Sequence, residues 1–136
     1  MTVRIDVIYE GDLHCRVTHG PSGQAFRTDA PVDNQGKGEC ISPTDLVGAS
    51  MGSCMLTIMG ICAKNNGTRL ENAKVSVTKE MAENPRRIKR LVVDFQMPAG
   101  LKKEERLALE RAALSCPVKQ SMHPDLEIPL KFNYPD

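Results

Sequence analysis

The sequence predicts one α+β domain with the element order βββ-α-ββ-α-β. Short runs that alternate apolar and polar residues occur in both halves of the chain. A long uncharged segment between them is typical of a buried helix, and a charged amphipathic segment follows the second group of runs. Strands and helices in this segregated order indicate an α+β fold. No repeat interrupts the 136 residues, so 1–136 is interpreted as a single domain.

The N-terminal third predicts three strands. In the first two, apolar residues alternate with polar ones and would share one face of a sheet: Val3, Ile5, Val7 and Tyr9, followed by Leu13, Cys15 and Val17. Gly11-Asp12 and the segment 20–23 are typical of turns. A third strand is expected over 24–28, and the segment 29–41, rich in Pro, Gly and Asn, is predicted to be a loop.

The middle of the chain predicts a long central helix. Ser42 suits an N-cap, Pro43 suits the first helical position, and Asp45 follows the cap by three residues. Gly67 is expected to end the helix. Because no charged residue occurs between Leu46 and Ala63, the helix is expected to be buried on all sides.

The same helix has a membrane-spanning alternative. About 18 uncharged residues reach the lower limit for crossing a bilayer, and Gly48 and Gly52 form a G-x-x-x-G pattern that lets another helix approach closely. The small and polar residues of the segment dilute its hydrophobicity, and strand-like segments flank it. A core helix of a globular domain is therefore favoured, with the Gly48 and Gly52 side at a helix–helix contact.

The second half predicts a hairpin, a helix and a closing strand. Two alternating runs, 73–77 and 91–97, are joined by a turn-forming segment. An amphipathic helix is expected over 101–115, and its apolar side would consist of Leu107, Leu114 and the alanines 108, 112 and 113. Pro117 interrupts this helix and opens a further helical turn. A last strand is expected over 128–134.

Composition and charge exclude several functional classes. The 18 basic and 17 acidic residues nearly cancel, so no strong field draws the chain to nucleic acid or to an anionic membrane. The lack of Trp leaves few stacking platforms for single-stranded nucleic acid. The N-terminus has no apolar run with a cleavage site, and the five cysteines form no C-x-x-C pair. A cytoplasmic protein without nucleic-acid or membrane partners is expected.

Two cysteines are candidate reactive residues. Cys54 lies among small residues in the third turn of the central helix, where a small buried hydrophobe is the alternative interpretation. Cys116 precedes Pro117 at a helix break, close to free N–H groups that favour a thiolate, although a simple N-cap is an equal alternative. Cys62, two helical turns after Cys54, is either a partner of Cys54 or a core residue.

The other polar residues suggest no further chemistry. Cys15 is expected in the core, and Cys40 is expected to be an exposed loop residue. The three histidines have no i, i+4 pair, so no metal site is predicted. No nucleophile elbow, P-loop or dinucleotide fingerprint occurs.

Two motifs resemble the OsmC/organic hydroperoxide resistance family, in its OsmC-like branch. The segment Ser42-Pro43-Thr44-Asp45-Leu46, with Gly48-Ala49-Ser50 and Cys54, is similar to the central-helix signature of that family. Cys116-Pro117-Val118 is similar to its second-cysteine motif. The predicted hairpin lies between the motifs as it does in the family, so the resemblance covers nearly the whole chain.

The resemblance implies an OsmC-like fold and an intertwined homodimer, with the long helices packed between sheets and two sites at the interface. It also implies a thiol peroxidase without metal, haem or flavin. Cys54 would attack an organic hydroperoxide, Cys116 would resolve the sulfenic acid as a disulfide, and a lipoyl- or thioredoxin-type dithiol would reduce that disulfide.

An activating arginine is also implied, because a buried thiol needs a positive neighbour to ionise. Arg27 is the first candidate and Arg16 the second, with Asp45 as the acid that holds the guanidinium. Both arginines also fit solvated strand positions. A second functional hypothesis is a non-catalytic dimer that binds a small ligand or senses oxidation.

Overall fold

The computed structural model describes residues 1–136. Its N-terminal unit, Met1–Leu46, contains a three-stranded antiparallel sheet. Its strands, in sheet order, are β1 (Ile5–Gly11), β2 (His14–His19) and β3 (Ala25–Asp29). The three predicted strands are confirmed. Two predicted strand residues are exceptions: Val3 precedes β1, and Leu13 has φ 64° in the turn after β1.

The loop after β3 is folded tightly against the end of that strand. It contains a short 3-10 turn, Val32–Asn34. The Asp29 N–H donates to the Ile41 carbonyl, and the Asp29 carboxylate accepts from the Glu39 N–H at 2.9 Å. The Glu39 amide is the main cause of an Asp29 pKa below its ordinary value, because it stabilises the ionised form. The loop predicted over 29–41 is confirmed except at Asp29, which is the last residue of β3.

The long helix α1 spans Pro43–Asn66, as predicted. A reciprocal pair of bonds begins it, because the Asp45 amide donates to Ser42 Oγ and the Ser42 amide donates to Asp45 Oδ2. Gly67 follows the helix with φ 65°, a conformation that glycine adopts without strain.

The C-terminal unit, Val47–Asp136, has a three-stranded mixed sheet beside its helices. Its strands, in sheet order, are β4 (Lys74–Ala82), β5 (Arg87–Gln96) and β6 (Leu130–Asn133). The first two form the predicted antiparallel hairpin, and β6 runs parallel to β5. Phe95 and Phe132 stack with their ring centroids 4.5 Å apart, which joins β6 to the core.

One side of α1 supplies the centre of that core. Met51, Met55 and Met59 are fully buried, so these methionines fill the interior. A Cβ atom on Gly52 would lie 3.0 Å from Val77 and 3.1 Å from Val75, both on β4. The expected helix–helix contact at Gly48 and Gly52 is therefore wrong, since this small-residue side of α1 packs on a strand of the same chain.

The opposite side of α1 is exposed in the single chain, contrary to the expectation of burial on all sides. It presents Ser50, Ser53, Thr57 and Ile61 to solvent, with Ile61 53% exposed. The Ser50 and Thr57 hydroxyls donate to carbonyls of the helix itself, so they need no outside partner. The helix is long and apolar enough to span a membrane, because an 18-residue stretch of it has a mean hydropathy of 1.8. A third of that stretch is buried inside the protein.

Two helices lie between β5 and β6 along the chain, α2 (Lys103–Leu114) and α3 (Pro117–Gln120). The predicted break at Pro117 is confirmed. The predicted apolar side of α2 is only partly correct, because Leu107 is 46% exposed and Leu114 49% exposed. Leu109 and Ala113, one turn apart, are the buried pair, and they align with Cys116 along the same side.

The observed order is βββ-α-ββ-α-β with one additional helical turn, α3. The α+β fold class is therefore confirmed.

Candidate active site

Two predicted site residues, Cys54 and Cys116, come together in the C-terminal unit. Cys54 is half-buried on α1, and Cys116 is fully buried in the break between α2 and α3. The Cys54 thiol is one of the groups that raise the pKa of Cys116, so the two thiols are neighbours in the fold. Residues 62 positions apart therefore form a dithiol pair, and all five cysteines are in the free thiol form.

Burial raises the pKa of the Cys116 thiol, and the neighbouring Cys54 thiol raises it further. The amides of Lys119 and Val118, at the beginning of α3, oppose this shift. The expected influence of free N–H groups is present, but desolvation outweighs it, so the expectation of a favoured thiolate at Cys116 is wrong.

The backbone around the helix break fixes the position of Cys116. Its amide donates to the Ala113 carbonyl at 3.2 Å, and its carbonyl accepts from the Gln120 amide at 3.0 Å. Cys116 occupies the N-cap position of α3, but its side chain makes no capping hydrogen bond. The amides of Val118 and Lys119 nevertheless lower its pKa, and the Cys54 thiol raises it, so the position fits both a simple N-cap and a partner of Cys54.

Cys62 lies against α2. Its thiol donates to the Ala108 carbonyl at 3.8 Å and accepts from the Asn66 amide nitrogen at 3.5 Å. At about 1.5 Å of rise per residue, Cys62 is roughly 12 Å along α1 from Cys54. A disulfide requires Cα atoms within about 7 Å, so these two cysteines cannot pair while α1 is intact.

The remaining cysteines are in the N-terminal unit. Cys15 is half-buried on β2, opposite Tyr9 and Thr28 in the sheet. Cys40 is also half-buried, so the expectation of an exposed loop position is only partly correct.

The candidate activating residues lie in the N-terminal unit. Arg27 is 57% exposed, and its Nε donates to Glu10 Oε1 at 3.0 Å. Arg16 is exposed and lies directly opposite Arg27 across the β2–β3 pair. Asp45 Oδ2 caps the Ser42 amide. The acid in contact with Arg27 is thus Glu10, which sequence reasoning missed because a β-bulge beside Tyr9 places it there.

Comparison with known proteins supports the fold and the family. The family model for the OsmC-like protein matches residues 36–131. A solved structure from Psychrobacter arcticus, a candidate osmotic stress induced and detoxification response protein, has 41% identity and a TM-score of 0.91; the match covers 98% of this chain and 96% of that one. A comparison with curated proteins finds no match.

More distant structures share the fold alone. An organic hydroperoxide resistance protein from Elizabethkingia anophelis has 16% identity and a TM-score of 0.79, with 98% of this chain and 96% of that chain covered. The organic hydroperoxide resistance protein OhrB of Bacillus subtilis has 16% identity and a TM-score of 0.69, with 98% of each chain covered. With a family model matching well over half of its length and a relative of 41% identity, the chain belongs to the OsmC-like protein family.

Proposed function

We propose that the protein is a thiol peroxidase that reduces organic hydroperoxides to alcohols, with Cys54 as the attacking sulfur and Cys116 as the resolving sulfur. The observation that carries the proposal is that the Cys54 thiol is close enough to Cys116 to raise its pKa. Membership of a family that includes organic hydroperoxide resistance proteins favours this chemistry.

The settings of the two thiols support the division of roles. Cys116 keeps its proton because burial and the neighbouring Cys54 thiol raise its pKa. Cys54 is the less buried of the two. An approaching hydroperoxide therefore meets the sulfur that is suited to attack.

The proposed cycle balances in three steps. The Cys54 thiolate attacks the distal oxygen of the hydroperoxide, the O–O bond breaks, and the alkoxide takes a proton and leaves as an alcohol. Cys116 then attacks the sulfenic sulfur, water leaves, and a Cys54–Cys116 disulfide forms. A dithiol of the lipoyl or thioredoxin type reduces the disulfide by exchange and is itself oxidised.

We also propose that the functional form is an intertwined homodimer. The exposed side of α1 carries small residues that would let a second α1 approach, and β1 exposes large apolar side chains. Ile5, Val7, Ile8 and Tyr9 are 59%, 60%, 64% and 64% exposed, respectively. Exposed apolar residues at this density mark an interaction surface.

A second candidate function is a redox sensor or small-ligand-binding dimer. It is favoured by the partner of Arg27, since an exposed pair with Glu10 is not by itself an activating arrangement for a buried thiol. In this case the thiols would oxidise once and stop.

The deciding experiment is steady-state consumption of an aryl hydroperoxide by the reduced protein with excess dithiol. Multiple turnovers per chain support the peroxidase. One equivalent consumed, with no further loss of hydroperoxide when dithiol is in excess, supports the sensor. The Cys62→Ser variant is the matched control, because Cys62 lies on the same helix and is beyond reach of Cys54.

A further inference from the structure

A second cluster of reactive side chains lies in the N-terminal unit, away from the cysteine pair in sequence. His14 and Asp29 are direct cross-strand partners on β2 and β3, so their side chains emerge on the same face of the sheet. Glu39, in the loop after β3, completes the cluster. One ligand atom from each residue lies within 4.8 Å of the other two.

The distances within this cluster suit ligands that share an ion. His14 Nε2 is 3.7 Å from Asp29 Oδ2 and 3.9 Å from Glu39 Oε1. Both separations are too long for hydrogen bonds, so the imidazole is not held by either carboxylate directly. Two ligands with bonds of about 2.0–2.2 Å to one ion are roughly 3–3.5 Å apart, so small side-chain movements would complete the site.

An unsatisfied buried oxygen is an independent observation. The Asp29 side chain is 1% exposed. Its Oδ2 atom accepts from the Glu39 amide, but its Oδ1 atom is buried and accepts no hydrogen bond. Buried carboxylate oxygens are almost always satisfied, and an orphan of this type calls for a missing water or ion. A cation held by both oxygens of the Asp29 carboxylate would satisfy this oxygen.

The loop brings Glu39 to this position by a specific backbone route. A Cβ atom on Gly36 would lie 1.7 Å from the Ala30 carbonyl oxygen, so only glycine allows the loop to pass there. Gly38 has φ 63°, which glycine also adopts without strain. The Glu39 amide then bonds to Asp29. The Glu39 side chain, 55% exposed, is left beside the imidazole and is open to solvent.

We propose that His14, Asp29 and Glu39 bind one divalent first-row transition-metal ion, with Zn²⁺ as the reference ion. One imidazole and two carboxylates form a ligand set of intermediate hardness. Ca²⁺ and Mg²⁺ favour oxygen ligands alone, and soft ions such as Cu⁺ favour sulfur. Three protein ligands leave a coordination position for water. The bound ion links Glu39 in the 30–41 loop to His14 on β2 and Asp29 on β3. This structural role is separate from the proposed peroxidase chemistry.

The test is metal binding by the full-length, reduced, chelator-treated protein. Zn²⁺ is titrated in competition with a chromophoric chelator, and Co²⁺ is titrated by absorbance. One Zn²⁺ per chain is expected, and the Co²⁺ spectrum should lack sulfur-to-cobalt charge transfer because no ligand is a thiolate. Zn²⁺ should also raise the melting temperature, and above the Kd this rise should grow with the logarithm of the free Zn²⁺ concentration.

Matched variants make the result decisive. Glu39→Gln and His14→Gln should each weaken Zn²⁺ binding by about tenfold or more. His123→Gln is the control, because that histidine is 74% exposed and outside the cluster. Glu39 is solvent-exposed, so the folded state should survive its substitution. Absence of binding, binding that survives both substitutions, or a sulfur-to-cobalt band would overturn the proposal. Hydroperoxide turnover should be the same in Glu39→Gln, which separates this proposal from the proposed function.

Discussion

At the scale of single residues, Cys54 and Cys116 differ in setting although both are thiols. Cys54 is fixed on a regular helix, whereas Cys116 is at a break where the chain changes direction before Pro117. A fixed sulfur suits attack on a substrate. A sulfur at a break can shift by the small distance that disulfide formation requires.

This asymmetry predicts different outcomes for the two serine variants. Cys54→Ser should abolish hydroperoxide consumption, because a neutral hydroxyl is a far weaker nucleophile than a thiolate. Cys116→Ser should react once and stop at a sulfenic acid that dimedone traps, or proceed to the sulfinic acid with excess oxidant. Intact mass and peptide mapping distinguish these products.

In the unmodified protein, oxidation should give an intrachain Cys54–Cys116 disulfide and leave Cys62 free to alkylate. A disulfide mapped to Cys62 would show that the wrong resolving residue has been named. Full turnover in Cys54→Ser would contradict the mechanism.

The raised pKa of Cys116 predicts a pH dependence of stability. The folded pKa lies above the ordinary value of 9.0. The stabilising contribution of the protonated thiol is therefore complete below about pH 9 and is lost as the pH rises through the folded pKa. The reduced wild-type protein should lose unfolding free energy relative to Cys116→Ala above about pH 9, by at most about 1.4 kcal/mol per pH unit. Denaturant melts of both proteins from pH 7 to pH 10 measure this difference. The same pH dependence of the unfolding free energy in the wild type and in Cys116→Ala would contradict the prediction.

At the scale of elements, α1 uses its two sides differently. The side with Gly48 and Gly52 packs on β4, and the methionines beside it fill the core. Glycine in a helix interior costs about 1 kcal/mol relative to alanine. Glycine is nevertheless favoured at position 52, because a side chain there would be too close to Val75 and Val77.

A pair of alanine variants tests this packing. Gly52→Ala should lower the free energy of unfolding by about 1 kcal/mol, because the new methyl group meets Val75 and Val77 at 3.0–3.1 Å. Gly60→Ala on the same helix has no neighbour within 4 Å of the new Cβ, so it should be stabilising by up to about 1 kcal/mol. Urea denaturation measures both. Equal effects at the two positions would show that β4 does not constrain α1 at Gly52.

At the scale of the whole molecule, the proposed dimer needs a surface for its partner. The exposed side of α1 provides small residues, and Thr57 lies in the middle of it. Thr57→Arg should shift the protein from dimer to monomer, because a long cation would separate two closely packed helices. Sedimentation at micromolar concentration measures the shift.

Glu71→Arg is the control for this experiment, since it places an arginine at an exposed turn outside α1. A monomeric mass for the wild-type protein would remove the dimer proposal. A dimeric Thr57→Arg variant of unchanged stability would place the interface elsewhere.

Local signals in the sequence were sufficient to determine the order and type of the elements. Alternation along the strands, the Ser42–Asp45 cap, Gly67 and Pro117 each act through neighbouring residues, so their effects can be read without the rest of the fold. The two cysteine motifs were sufficient to indicate the family. The buried side of α2 is predicted only in part: Ala113 is buried as expected, but Leu109 is buried in place of Leu107 and Leu114. The three leucines have equal local preference for a core, and only packing selects among them.

Tertiary structure alone decided which side chains meet. The thiols of Cys54 and Cys116 approach each other because α1 and the α2–α3 break fold together, and burial then reverses the expected effect of the helix N-terminus on the Cys116 pKa. His14, Asp29 and Glu39 have no short-range spacing that suggests a metal site. Strand pairing and a glycine-dependent loop bring them together. Desolvation and long-range pairing depend on the position of every neighbouring element, so no local pattern in the sequence encodes them.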